Sequence, residues 1–120
     1  MFRILERAAQ IEAAWKAMEK EEFGYESFTT FYSDFTIADA FGAKAVKDTY
    51  KRCVKAWLGD YKYATELVLV LNHKSWEHHG AGNMELSALY SDLYYELKDK
   101  FYDKYGKNKE ACEYFFNITD

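Results

Sequence analysis

The stretch HKSWEHHG carries every histidine of the chain, His73, His78 and His79, around Glu77. Imidazole and carboxylate groups hold transition metals and move protons near neutral pH. His73 and Glu77 are four apart, so a helix sets them on one face. His78 and His79 follow His73 by five and six, well off that face at about 100° per residue. One helix therefore cannot aim all three rings at one ion. Neither the HExxH zinc motif nor the paired Glu-x-x-His of di-iron bundles occurs. The metal-enzyme reading narrows to His73 and Glu77 with a distant carboxylate. Against it stands a simpler expectation: with Gly80 and Gly82 just beyond, His78 and His79 lie at a helix C-terminus, where cationic side chains meet open carbonyls. Trp76 is expected to pack on a neighbour.

Nucleophile and phosphate motifs are missing as well. There is no G-x-S-x-G, G-x-G-x-x-G or Walker-type glycine loop. Cys112 beside Glu113 is not an activated thiol by itself. The expectation is a chain without catalytic residues, cofactor or metal.

A second pattern concerns charge. Lys44, Lys47, Lys51 and Lys55 recur every three or four residues, with Arg52 beside them and Asp48 among them. On a helix over about 43–58 they form a basic row opposite Val46, Tyr50, Cys53 and Trp57. Such a row suits a phosphate or an acidic protein surface. With Tyr61 and Tyr63, read as exposed, it is the expected partner-binding surface: charge steers the encounter and aromatic rings hold it. IADAFGAKAVKDTYKR also has the alanine–glycine spacing of a helix-turn-helix at Ala38 and Gly42. Asp48 and Lys51 stand where that motif buries apolar residues, which argues against it. A later helix carries Asp92, Glu96, Asp99 and Asp103, partly neutralised by the flanking Lys98, Lys100 and Lys104. This acidic row suits the lysine row of another copy or a basic surface of a different partner. Homo-oligomers are one outcome of the first match.

These rows need elements to hold them. Ile4, Leu5, Ala8, Ile11 and Met18 imply a helix from about Phe2 to Lys20. A short helix or turn follows over Ser27–Asp34. Thr36 is expected to cap another short helix that ends at Gly42. Gly59 and Asp60 close one long helix and start the next, about Tyr61–His79. Its middle, TELVLVLN, is apolar nearly all round and marks a central helix. Asn83 caps a helix to about Tyr105 with Leu86, Leu89, Tyr90, Leu93, Leu97 and Phe101 inward. A last helix covers about Asn108–Phe116. The fold expected is all-α, a compact bundle of five or six helices around 61–79, in one domain over 1–120.

Composition agrees with a folded chain. Of 120 residues, 49% are hydrophobic, 30% charged and none is proline. A disordered chain is poorer in apolar and richer in proline residues. Aromatics reach 19%, with 11 tyrosines, which suits either recognition or the rims between helices. The net charge of −4 disfavours general nucleic-acid binding, which leaves a regulator acting through the basic helix 43–58 as an alternative. Cys53 and Cys112 are too few for a disulfide framework and fit a reducing compartment. No stretch has the length of a membrane span or the form of a signal peptide. A cytoplasmic protein is expected.

FYSDFTIADAFG, AVKDTYKR, DYKYATELVLVLNHKSWEHH and the terminal YFFNITD together resemble a family of small uncharacterised proteins encoded by mobile genetic elements of gut Gram-positive bacteria. The likeness covers most of the chain from Phe31 onward and brings no catalytic residues. It implies a bacterial, intracellular accessory protein encoded by such an element and supplies no mechanism. Small proteins in that setting often bind host or element proteins, and the role expected here is a non-catalytic, regulatory one of that kind. Inhibitors of host defence systems, such as those directed at CRISPR nucleases, are one such class.

Overall fold

The computed structural model describes residues 24–119. They form five helices: α1 (Gly24–Asp39), α2 (Ala43–Trp57), α3 (Tyr61–Gly80), α4 (Met84–Tyr105) and α5 (Lys109–Thr119). The helix expected over Phe2–Lys20 lies outside the described residues. The all-α bundle is as the sequence predicts, and α3 is its centre, packed against each of the other four helices. No helix among the described residues is long and apolar enough to cross a membrane.

The central place of α3 follows from its composition. Ala64, Leu67, Val68, Val70 and Leu71 are buried, and with the equally buried Thr65 and Glu66 they point in nearly every direction around the axis. A helix apolar on all sides has no face to offer water and is driven inside. Asp60 starts it as expected, its side chain accepting from the backbone N–H groups of Lys62 and Tyr63.

One expectation is corrected. Residues 24–39 are a single helix, not a short piece followed by a helix capped at Thr36. Phe28, Phe31, Phe35 and Ala38 recur at three, four and three residues and are all buried. That unbroken stripe outweighs the local turn preference of Ser33, Asp34 and Thr36. The turn comes later, at Gly42, whose φ of 102° and ψ of −175° belong to a region that side chains strongly disfavour.

The remaining joins are tied by polar contacts. Asn83 caps α4 through the N–H of Leu86. Ser75 and Ser87 donate to each other's backbone carbonyls at 3.0 and 2.9 Å, which clasps α3 to α4. Asn108 accepts from the N–H of Ala111 and starts α5. Phe115 then seats on Phe101, ring centres 4.5 Å apart. Phe116 beside it is exposed.

Candidate functional site

The histidine stretch leads into a polar cluster where the C-terminal halves of α1 and α3 meet α4. Its centre is Lys74, a residue the sequence reading passed over. The side chain is 1% exposed. Its ammonium donates to Thr36 Oγ1 at 3.2 Å and to Glu77 Oε2 at 2.6 Å, and it pairs with Asp39 Oδ2 at 2.7 Å. Three acceptors meet three ammonium protons, so the buried cation is fully satisfied. The rings of Tyr32 and Tyr90 add cation–π contacts at 4.9 and 6.0 Å.

Each carboxylate is held from other sides as well. Tyr90 donates its hydroxyl to Asp39 Oδ1, and His78 Nε2 lies 2.8 Å from Asp39 Oδ2. Tyr32 donates to Glu77 Oε1, with His73 Nε2 at 3.9 Å from the same oxygen. Burial alone pushes the Glu77 carboxyl upward. The bonds from Lys74 and Tyr32, with the charges of Lys74 and His73, override it and hold the group below the usual carboxylate range. Burial, then the facing carboxylates, push Tyr32 and Tyr90 far above the usual phenol range, so both remain protonated donors.

One histidine expectation changes here. His78 sits in the last turn of α3 as expected, but its ring meets a side chain and not the open carbonyls of the helix end. It is half-buried, bonded to Asp39 and stacked on Tyr90 with ring planes 8° apart. His73 does point inward, and Glu77 beside it does share a site with a second carboxylate, Asp39. His79 is exposed and packs edge-on against Trp76. The geometric argument that one ion cannot collect all three rings therefore stands.

Asp39, Glu77 and His78 bring ligand-type atoms within 4.8 Å of one another. Two carboxylates and an imidazole are a fair donor set for zinc, iron or manganese. It differs from the expected His73–Glu77 pair and takes Asp39 from α1. Lys74 opposes occupancy, because its ammonium already stands against both carboxylates. A divalent ion would have to displace or deprotonate it.

A second buried carboxyl lies outside this cluster. Glu66 on α3 is fully buried; Ser27 Oγ on α1 donates to its Oε2 at 2.8 Å, and Oε1 has no hydrogen-bond partner among the described residues. Burial pushes the acid up to about 8, against a small downward pull from Ser27.

The residues expected to bind a partner divide into two groups. Lys44, Lys47, Lys51, Arg52 and Lys55 are all exposed along α2, as one row. Only Lys44 is paired within its own chain among the described residues, to Asp48 at 3.1 Å. Tyr61 and Tyr63 correct the expectation: both are half-buried parts of the bundle. Tyr61 donates to Glu110 at 2.9 Å and packs edge-on against Tyr105 and Tyr114. Tyr63 lies 4.7 Å from Trp57 between ring centres. The exposure of Asp48 and Lys51, where a helix-turn-helix buries its recognition helix, leaves that motif without its packing.

Comparison with known protein families, curated proteins and solved structures finds no match. The site has to be read from its own chemistry.

Proposed function

We propose that this protein is a non-catalytic interaction module that docks an acidic protein surface on α2. The observation that carries this reading is the continuous exposed row Lys47, Lys51, Arg52 and Lys55, which meets no carboxylate of its own chain among the described residues. Cations left unneutralised along one helix face steer an oppositely charged partner. An accessory role in a bacterial mobile element, acting on a host or element protein in the cytoplasm, agrees with this reading; inhibition of a host defence nuclease is its narrower form. Charge reversal in Lys47→Glu/Lys51→Glu should abolish capture of partners from a lysate of the source organism while the melting temperature stays put. Undiminished capture would sink the proposal. A parallel salt series with duplex DNA separates the nucleic-acid regulator, whose binding must fall steeply with salt.

A second reading is favoured by one specific observation, the convergence of Asp39, Glu77 and His78. It makes the cluster a divalent-cation site, and with it a metal-dependent activity. Untagged protein supplemented with zinc, iron or manganese should then retain stoichiometric metal and melt higher, reversibly with chelator. The ammonium of Lys74 weighs against it, so Lys74→Met should bind metal more tightly than the parent. No retained metal in either form removes this reading.

A further inference from the structure

The basic row on α2 has a counterpart in the same molecule. Asp92, Glu96, Asp99 and Asp103 are all exposed on α4. Their offsets along the helix are 0, 4, 7 and 11, and those of Lys44, Lys47, Lys51 and Lys55 are 0, 3, 7 and 11. Both rows therefore run about 16 Å at 1.5 Å per residue, and each stays within a narrow face of its helix. None of the four acids makes an ion pair with a described residue of its own chain. Of the three lysines that flank the acidic row, Lys98 lies over the ring of Tyr94 at 5.7 Å and Lys104 over that of Tyr105 at 5.8 Å, while Lys100 is exposed beside Asp99. Tyr95, 60% exposed, stands three residues after Asp92 and four before Asp99, on the same ridge. It supplies the row with an aromatic anchor.

The rows also sit on adjacent helices. α2 packs on α4 within one chain, where the carboxylate of Glu96 faces the buried hydroxyl of Tyr50. A two-fold axis that laid each copy's lysine row on the other copy's acidic row would let the same patch serve both partners, and such an assembly would close at two.

We infer that the α2–α4 face is a self-complementary docking surface and that its occupant is a second copy of this chain. The inference deepens the proposed function, on which it rests, by naming the acidic partner of α2. Sedimentation velocity on the full chain tests it. Wild type should be a dimer at about 50 mM salt and dissociate at about 500 mM, where screening shortens the reach of each charge. Lys47→Glu/Lys51→Glu and Asp92→Lys/Asp99→Lys, each verified as folded by circular dichroism, should weaken self-association at least about tenfold, the effect of about 1.4 kcal/mol. Mixed in equal amounts, the two variants carry swapped but matching rows and should form a mixed dimer. A wild-type monomer at low salt overturns the inference, as does a mixture that stays monomeric. If monomeric wild type still captures an acidic protein and Lys47→Glu/Lys51→Glu does not, the self-docking inference fails while the docking function of α2 stands. Binding to duplex DNA in place of a second copy overturns both.

Discussion

Lys74 on α3 and Asp39 on α1 meet at 2.7 Å in a site where the lysine is 1% exposed. The pair joins the end of one helix to the central one. It is embedded among Glu77, His78, Tyr32, Tyr90 and Thr36, so neither charge is left to the apolar interior alone. Removing one partner is therefore far more costly than the pair's net contribution, because the remaining charges stay buried.

Lys74→Met tests this directly. Two carboxylates would face each other with no cation between them. The expected loss is about 3–5 kcal/mol at neutral pH, read from urea unfolding. Adding Asp39→Asn should recover part of it, since one of the stranded charges is gone. A loss below about 1 kcal/mol would mean that the carboxylates escape to water.

Tyr90→Phe keeps the ring on His78 and Phe35 but deletes the hydroxyl that Asp39 accepts. A hydrogen bond to a charged group is worth about 1.5–3 kcal/mol, and the variant should lose that much. Chemical denaturation with an unchanged m-value would locate the effect in this bond and not in a rearranged core.

Glu66 gives the chain an unusual alkaline limb. Its folded-state acid titrates near 8, above the ordinary 4.5. Between those values the folded protein keeps a proton that the unfolded chain releases. Stability from this group must therefore fall as pH rises from about 4.5 to about 8, and level off above. Glu66→Gln is neutral throughout. It should match wild type near pH 4.5 and exceed it at pH 8.5 by up to about 4 kcal/mol. Parallel pH profiles of wild type and variant would show that the carboxyl reaches water.

Gly42→Ala isolates a backbone effect. A Cβ at Gly42 would meet nothing within 4 Å among the described residues, so space is not the obstacle. The φ of 102° is, and the substitution should cost about 1–3 kcal/mol. Gly59 has equal space and no positive φ. Gly59→Ala should be neutral or stabilise by about 0.4–1 kcal/mol through the unfolded chain. Thermal melts of the two variants give the comparison.

The helices were largely legible because periodic apolar residues and their punctuation agree. Asp60 and Asn83 fall where the starts of α3 and α4 need caps. The division at Thr36 failed because capping chemistry is local, whereas the buried run Phe28–Phe31–Phe35–Ala38 extends through it. The polar cluster was half legible. His73 and Glu77 were flagged by type, but Asp39 comes from another helix and no spacing rule reaches it. Lys74 did leave a signal: it continues the inward face of Leu67 and Leu71, where a charge is out of place unless it has partners. Glu66, set in the all-round apolar part of α3, left the same kind of signal. Tyr61 and Tyr63 were misjudged because an amphipathic ring reads alike on a rim and on an open surface.

The reciprocal bonds of Ser75 and Ser87 bear on how the chain reaches this structure. They link residues only 12 apart, across the short turn at Gly82. Closing so small a loop costs little entropy, whereas the Lys74–Asp39 contact must first bring together distant helices. The α3–α4 hairpin is thus the natural nucleus, and α1 docks on a scaffold that already exists. Substitutions at Leu71 or Leu86 should slow folding, with φ-values above about 0.5, while Phe35→Ala should mainly hasten unfolding. Uniform φ-values across all three positions would rule that order out.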